Sequence, residues 1–95
     1  MSATQPHPRR DRDGARLKVG DVVRIVGVPD LSRMHASGRA VSQPVFEHLV
    51  GQYKRITEFD EWGEARLDFR ISRGRHRGWH TVWIEPYLLK RREGA

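Results

Sequence analysis

The sequence predicts an all-β fold, a small barrel of about five short strands with a short 3₁₀ turn before the last one. Three observations predict it. Charged and apolar residues alternate without a break from Glu64 to Ile71, a period of two that suits a strand with one wet and one buried face and defeats a helical reading. Trp79 to Ile84 is a run of aromatic and β-branched residues. Between such runs the chain is punctuated by Gly-Asp, Asp-Glu-Trp-Gly and Glu-Pro, which turn it or stop it.

Taken in order, residues 1–16 are rich in Arg, Asp and Pro and too poor in apolar side chains to join a core, so they are expected to form a disordered basic tail. Residues 17–92 are the expected barrel and 93–95 a flexible end. Gly20-Asp21 opens a first strand over Val22 to Val26, which Pro29 stops. From Pro29 to Pro44 the chain has little periodicity and reads as a long loop, with Leu31 and Met34 its sizeable apolar residues. Val45 to Val50 suits either one helical turn or an extended approach, ended by Gly51.

Gln52 to Phe59 is the second strand. Tyr53, Ile56 and Phe59 are its expected inward anchors, and their spacing of three asks for a bulge or strong twist. Asp60 to Gly63 reads as a hairpin turn in which Gly63 supplies a positive φ. The alternating third strand follows, then a loop from Ser72 to Gly78, then the fourth strand. Pro86 removes a backbone donor and favours a short 3₁₀ turn, after which Lys90 to Arg92 form a last short strand. The expected core is Val23, Ile25, Ile56, Leu67, Phe69, Val82 and Ile84.

Length and composition set bounds on function. A chain of 95 residues suits one small domain. With so little core its stability is expected to be about 3–5 kcal/mol. The absence of cysteine excludes disulfides and thiolate metal sites. No run approaches the roughly 20 apolar residues of a membrane span, and the N-terminus lacks the apolar stretch of a secretory signal. A soluble, cytoplasmic protein, monomeric by default, is expected.

Eighteen basic against twelve acidic side chains give a net charge of +6, and the sequence pI is about 10.7. The excess sits in the tail, in the loop carrying Arg70, Arg73, Arg75 and Arg77, and at Lys90, Arg91 and Arg92, while acids slightly outnumber bases from Leu17 to Phe69. An acidic partner follows, either protein or nucleic acid; the alternative is that these are merely solvated termini and a solubilising loop.

If Val82 and Ile84 point inward, Trp79 and Trp83 lie outside, where with Trp62 and Tyr87 they would form an aromatic strip beside Arg73, Arg75 and Arg77. The alternative places Trp83 over an open end of the barrel and Trp79 under a loop. Arg73-Gly74-Arg75-His76-Arg77-Gly78 also has the Arg/Gly interleaving of RGG-type nucleic-acid segments. Five histidines, His48, His76 and His80 among them, are not completed into a metal site by carboxylates or thiols. Nothing combines a positioned nucleophile with an oriented base, and no cofactor is implied.

Lys18 to Ile25, the Leu49-Val50-Gly51 approach to the second strand and Glu85 to Leu89 before the last strand resemble the pattern of SH3-like barrels. Within that group the chain is similar to the barrel of the nitrile hydratase β subunit and related electron-transport accessory subunits. The resemblance implies an accessory barrel without catalytic activity. The cysteine-rich metal motif of the nitrile hydratase α subunit is absent here. It points first to a module that docks on a protein partner of acidic or mixed surface through Trp62, Trp79, Trp83, Tyr87, Arg73, Arg75 and Arg77, with Pro29 to Pro44 as a neighbouring wall. KOW-type and other SH3-like barrels of ribosomal and transcription proteins make nucleic-acid binding through the basic loop and termini the second expectation.

Overall fold

In the computed structural model, which describes residues 8–31 and 36–92, the strands are β1 (Val22–Ile25), β2 (Tyr53–Phe59), β3 (Ala65–Ile71), β4 (Gly78–Ile84) and β5 (Leu89–Arg91). A helix, α1 (Ala36–Leu49), joins β1 to β2, and a 3₁₀ turn, Pro86–Leu88, precedes β5. All pairings are antiparallel, in the order β4-β3-β2-β1-β5. β4 and β5 are the two edges, and among the described residues no ladder joins them, so the sheet is open where the sequence led us to expect a closed barrel.

The alternation that predicts β3 sorts its side chains as expected: Ala65, Leu67, Phe69 and Ile71 are buried, and Arg66, Asp68 and Arg70 face outward. All seven expected core residues are buried, joined by Leu17, Leu89 and three residues of α1. The expected bulge in β2 is a register shift between Ile56 and Glu58. Up to Arg55 the strand pairs with β1, and from Ile56 onward with β3, so β2 is shared by two half-sheets. The Asp60 turn closes on its own side chain: Oδ1 accepts the backbone N–H groups of Trp62 (2.9 Å) and Glu64 (2.8 Å), and Gly63 takes a φ of 79°.

Three expectations are corrected. The stretch expected to be a loop up to Pro44 is helical from Ala36, and residues 32–35, Met34 included, lie outside the described residues. Val45, Phe46 and Leu49 bury one face of this helix, while Pro44 sits in it exposed. Pro44 cannot donate to the Ala40 carbonyl, and a proline inside a helix costs about 3 kcal/mol relative to Ala, so packing and not propensity holds α1. Gln52 ends the helix by donating Nε2–H to the His48 carbonyl (2.7 Å), and Gly51 turns the chain at φ 87°.

The second correction concerns residues 8–16, which are not a disordered tail; residues 1–7 lie outside the described residues. Arg10 bridges Arg16, and the turn between them is held by Asp11, whose Oδ1 accepts the N–H groups of Asp13 (2.9 Å) and Ala15 (2.8 Å). Asp11 Oδ2 accepts the Arg91 N–H (2.7 Å), and Arg12 N–H donates to the Leu89 carbonyl (2.8 Å), so this hairpin is stitched to β5. The Arg9 guanidinium lies over the Phe59 ring, 4.6 Å from its centroid. Thirdly, Tyr53 is not an inward anchor. It stands opposite Arg24, an outward position of β1, and is 52% exposed. The bulge lies after Ile56, too late in the strand to bring Tyr53 inward.

Candidate functional site

The pairing register decides which outward side chains meet on the half-sheet of β5, β1 and the first half of β2. With Val23, Ile25 and Leu89 buried, the alternate positions form two outward rows. In one row Lys90, Arg24 and Tyr53 lie side by side across three strands. In the next, Val22 stands opposite Arg55, and Arg92 joins by donating its backbone N–H to the Val22 carbonyl (2.9 Å). An open crevice of about 390 Å³ borders Lys18, Asp21, Arg55, Arg91 and Arg92, and another of about 290 Å³ borders Arg24, Tyr53, Lys90, Arg91 and Arg92. They share Arg91 and Arg92 and so adjoin.

Six cationic residues, Lys18, Arg24, Arg55, Lys90, Arg91 and Arg92, thus border one surface, with Arg24, Arg55, Lys90 and Arg92 at outward positions and Arg91 opposite the buried Val23. Two carboxylates temper them: Asp13 lies 3.6 Å from the Lys90 Nζ, and Asp21 accepts the Lys18 backbone N–H (3.0 Å). Asp11 lies beside β5, on the side away from β1. Its burial would raise its pKa, but the N–H groups of Arg91, Ala15 and Asp13 and the charge of Arg91 outweigh that and lower it. Arg24 directly opposite Lys90 is a like-charge cross-strand pair, which disfavours the unliganded sheet and is relieved by an anion between the two.

The outer face of β3 and β4 is arranged differently. Trp79 lies opposite Arg70, Thr81 opposite Asp68, and Trp83 opposite Arg66. Asp68 is the hub: Oδ1 accepts from Thr81 Oγ1 (2.6 Å) and Arg66 Nε (3.1 Å), and Oδ2 accepts from Thr57 Oγ1 (3.4 Å). Arg66 also pairs with Glu58 at 3.2 Å. Thr81 first, then Arg66 and Thr57, outweigh partial desolvation and lower the Asp68 pKa. The charges of Glu58, Arg66 and Asp68 are thus paired with one another.

Each residue of the expected aromatic strip is exposed: Trp79 at 77%, Trp83 at 36%, with Trp62 and Tyr87 between them in degree. They do not form one strip. Trp79 and Trp83 are four residues apart along β4, about 13 Å, with the Thr81–Asp68 bond between them. The loop with exposed Arg73, Arg75 and Arg77 adjoins Trp79 only, and His80 steadies it by donating Nε2–H to the His76 carbonyl while stacking on Phe69 (centroids 5.5 Å apart). Tyr87 belongs to the other end. Burial, and then the charges of Glu85, Asp30 and Glu64, raise its pKa, which marks that end as acidic.

Exposure separates the two indoles energetically. Replacing Trp79 with Ala is expected to change stability by no more than about 0.5 kcal/mol, as for surface positions generally, whereas Trp83, partly covered beside Arg66, loses more. Urea titrations of the two variants check this, and a collapse with Trp79→Ala would place that ring in the core. Sequence reasoning found Trp79 and Trp83 from alternation alone but missed Arg24, Arg55 and Tyr53, whose meaning depends on which strands lie side by side. No family model, curated protein or solved structure matches this chain.

Proposed function

We propose that this chain is a non-catalytic module that binds nucleic acid through the outer face of β5, β1 and the first half of β2. One observation carries the reading: Lys18, Arg24, Arg55, Lys90, Arg91 and Arg92, scattered along the sequence, border one open surface. The slight acidity from Leu17 to Phe69 argued against nucleic acid at the level of sequence. The fold answers it by segregation, since Glu58, Asp60, Glu61, Glu64 and Asp68 belong to β2's second half, β3 and the turn between them. A cationic surface of this kind neutralises phosphates and attracts them over distance.

The finer fold reading, an SH3-like barrel, belongs to the same proposal. It is supported by β2 serving two half-sheets and by the 3₁₀ turn placed directly before β5. The module works as a cytoplasmic monomer in this reading, and no metal or cofactor is part of it. Among the described residues no helix is long and apolar enough to cross a membrane.

The test is a fluorescence-anisotropy titration with a labelled single-stranded oligonucleotide. If about four phosphates are neutralised, affinity falls about fifty-fold between 50 and 200 mM salt, and the triple variant Arg24→Glu, Arg55→Glu, Arg92→Glu abolishes binding at the lower concentration. A variant with Arg73, Arg75 and Arg77 changed to Glu retains it. Salt-independent affinity, or loss with the second variant alone, would refute the assignment.

A second reading, docking to a protein with an acidic segment, is favoured by Trp79, which stands exposed beside Arg70 and the arginine loop. Under it, the Arg73, Arg75, Arg77 variant loses a protein partner in pull-downs while nucleic-acid affinity is unchanged.

A further inference from the structure

We infer that the basic face takes single-stranded nucleic acid and that Tyr53 stacks on a base, an inference that rests on the reading above and names the state of its ligand. The tyrosine is the informative residue. It is half exposed on the outward side of β2, next in its row to Arg24 and then Lys90, and it lines the same crevice as Arg24, Lys90, Arg91 and Arg92. Among the described residues no other ring stacks on it. An aromatic face held between phosphate-binding side chains is the arrangement by which single-strand binders hold a base and its two flanking phosphates together. A duplex keeps its bases stacked on one another and offers such a ring nothing to cover.

The surface itself points the same way. It is the outer side of a half-sheet with open crevices, and the residues that border them belong to strands and turns, with no helix among them to enter a groove of a duplex. The other aromatic with arginines nearby, Trp79, lies on the second half-sheet, opposite Arg70. Tyr53, and not Trp79, shares a row and a crevice with Arg24 and Lys90, so Tyr53 is the platform.

The experiment compares four labelled probes by anisotropy at low salt: a ten-nucleotide oligouridylate, the matching oligodeoxyuridylate, an abasic deoxyribose-phosphate strand of the same length, and a ten-base-pair duplex. For the unmodified protein, at least one of the base-bearing strands is expected to bind about ten-fold or more tighter than the abasic strand, the gain of one stacked base. Tyr53→Ala is expected to erase that difference and to leave duplex affinity within about two-fold. Tyr53→Phe keeps the ring and is expected to preserve it. The more favoured of the two oligonucleotides identifies the sugar the site accepts. Equal affinity for base-bearing and abasic strands overturns the stacking inference, as does Tyr53→Phe behaving like Tyr53→Ala. Either result leaves backbone binding standing. Absence of binding by every probe overturns both.

Discussion

Asp11→Ala is expected to remove about 3 kcal/mol of stability, because a buried ionised carboxylate accepting backbone N–H groups is worth about 1.5–3 kcal/mol per bond and its removal leaves the donors unsatisfied. Three donors are involved: Asp13 and Ala15 in the turn, and Arg91 at the edge of the sheet. Against a total of about 3–5 kcal/mol for so small a core, that loss leaves a substantial unfolded population at room temperature. Asp11→Asn is expected to fall between, since its carbonyl still serves Asp13 and Ala15 while its amide opposes the Arg91 N–H. Urea unfolding followed by circular dichroism measures both. An Asp11→Ala midpoint equal to that of the unmodified protein would show that the Asp11 carboxylate contributes nothing to the fold.

The same carboxylate gives the pH dependence its sign. Its folded pKa is lowered below the ordinary carboxylate value, so the unfolded chain binds the proton more readily. The stability it contributes is therefore complete above the ordinary range, about pH 4–5 and upward, and is lost as pH falls through the depressed folded value. Asp68 shifts in the same direction, so acidification alone does not isolate Asp11. The difference between the unmodified protein and Asp11→Ala does, and it is expected to shrink toward zero as the pH drops.

How much of this was legible in the sequence depended on how local the determining physics is. β3 announces itself because alternation is a property of neighbouring residues, and Gly63 and Pro86 announce their turns because φ preference is a property of one residue. Asp11 could not, since its decisive partner lies eighty residues away. Before the pairing is known, an aspartate among arginines is indistinguishable from a solvated tail. The site divides in the same way. Outward Trp79 follows from alternation within β4, whereas the row of Lys90, Arg24 and Tyr53 exists only because β1 lies between β5 and β2. Tyr53 shows the hazard of reading a bulged strand by spacing: three residues separate it from Ile56, yet the irregularity that could reconcile them begins only after Ile56.

The helix is the clearest case of packing overriding local preference, and it sets the second large effect. Phe46→Ala is expected to destabilise the protein by about 3 kcal/mol, the lower range for truncating a buried phenylalanine, and to lower its melting temperature by roughly 12–24 °C. Gly38 and Pro44 both disfavour helix, so α1 depends on the buried trio Val45, Phe46 and Leu49. Val45 and Phe46, with Ser42, border β4 at His80, Thr81 and Val82. Glu47→Ala, exposed on the same turn, is expected to move stability by no more than about 0.5 kcal/mol. Thermal melts at 222 nm compare the two, and a Phe46→Ala melt that superimposes on that of the unmodified protein would mean the helix is not held by this face. Because α1 borders β4, on the half-sheet that does not carry Tyr53, the folded fraction of Phe46→Ala should bind an oligonucleotide as the unmodified protein does. A loss of affinity beyond the unfolded fraction would tie the helix to the basic face and move the binding surface from where the strand register places it.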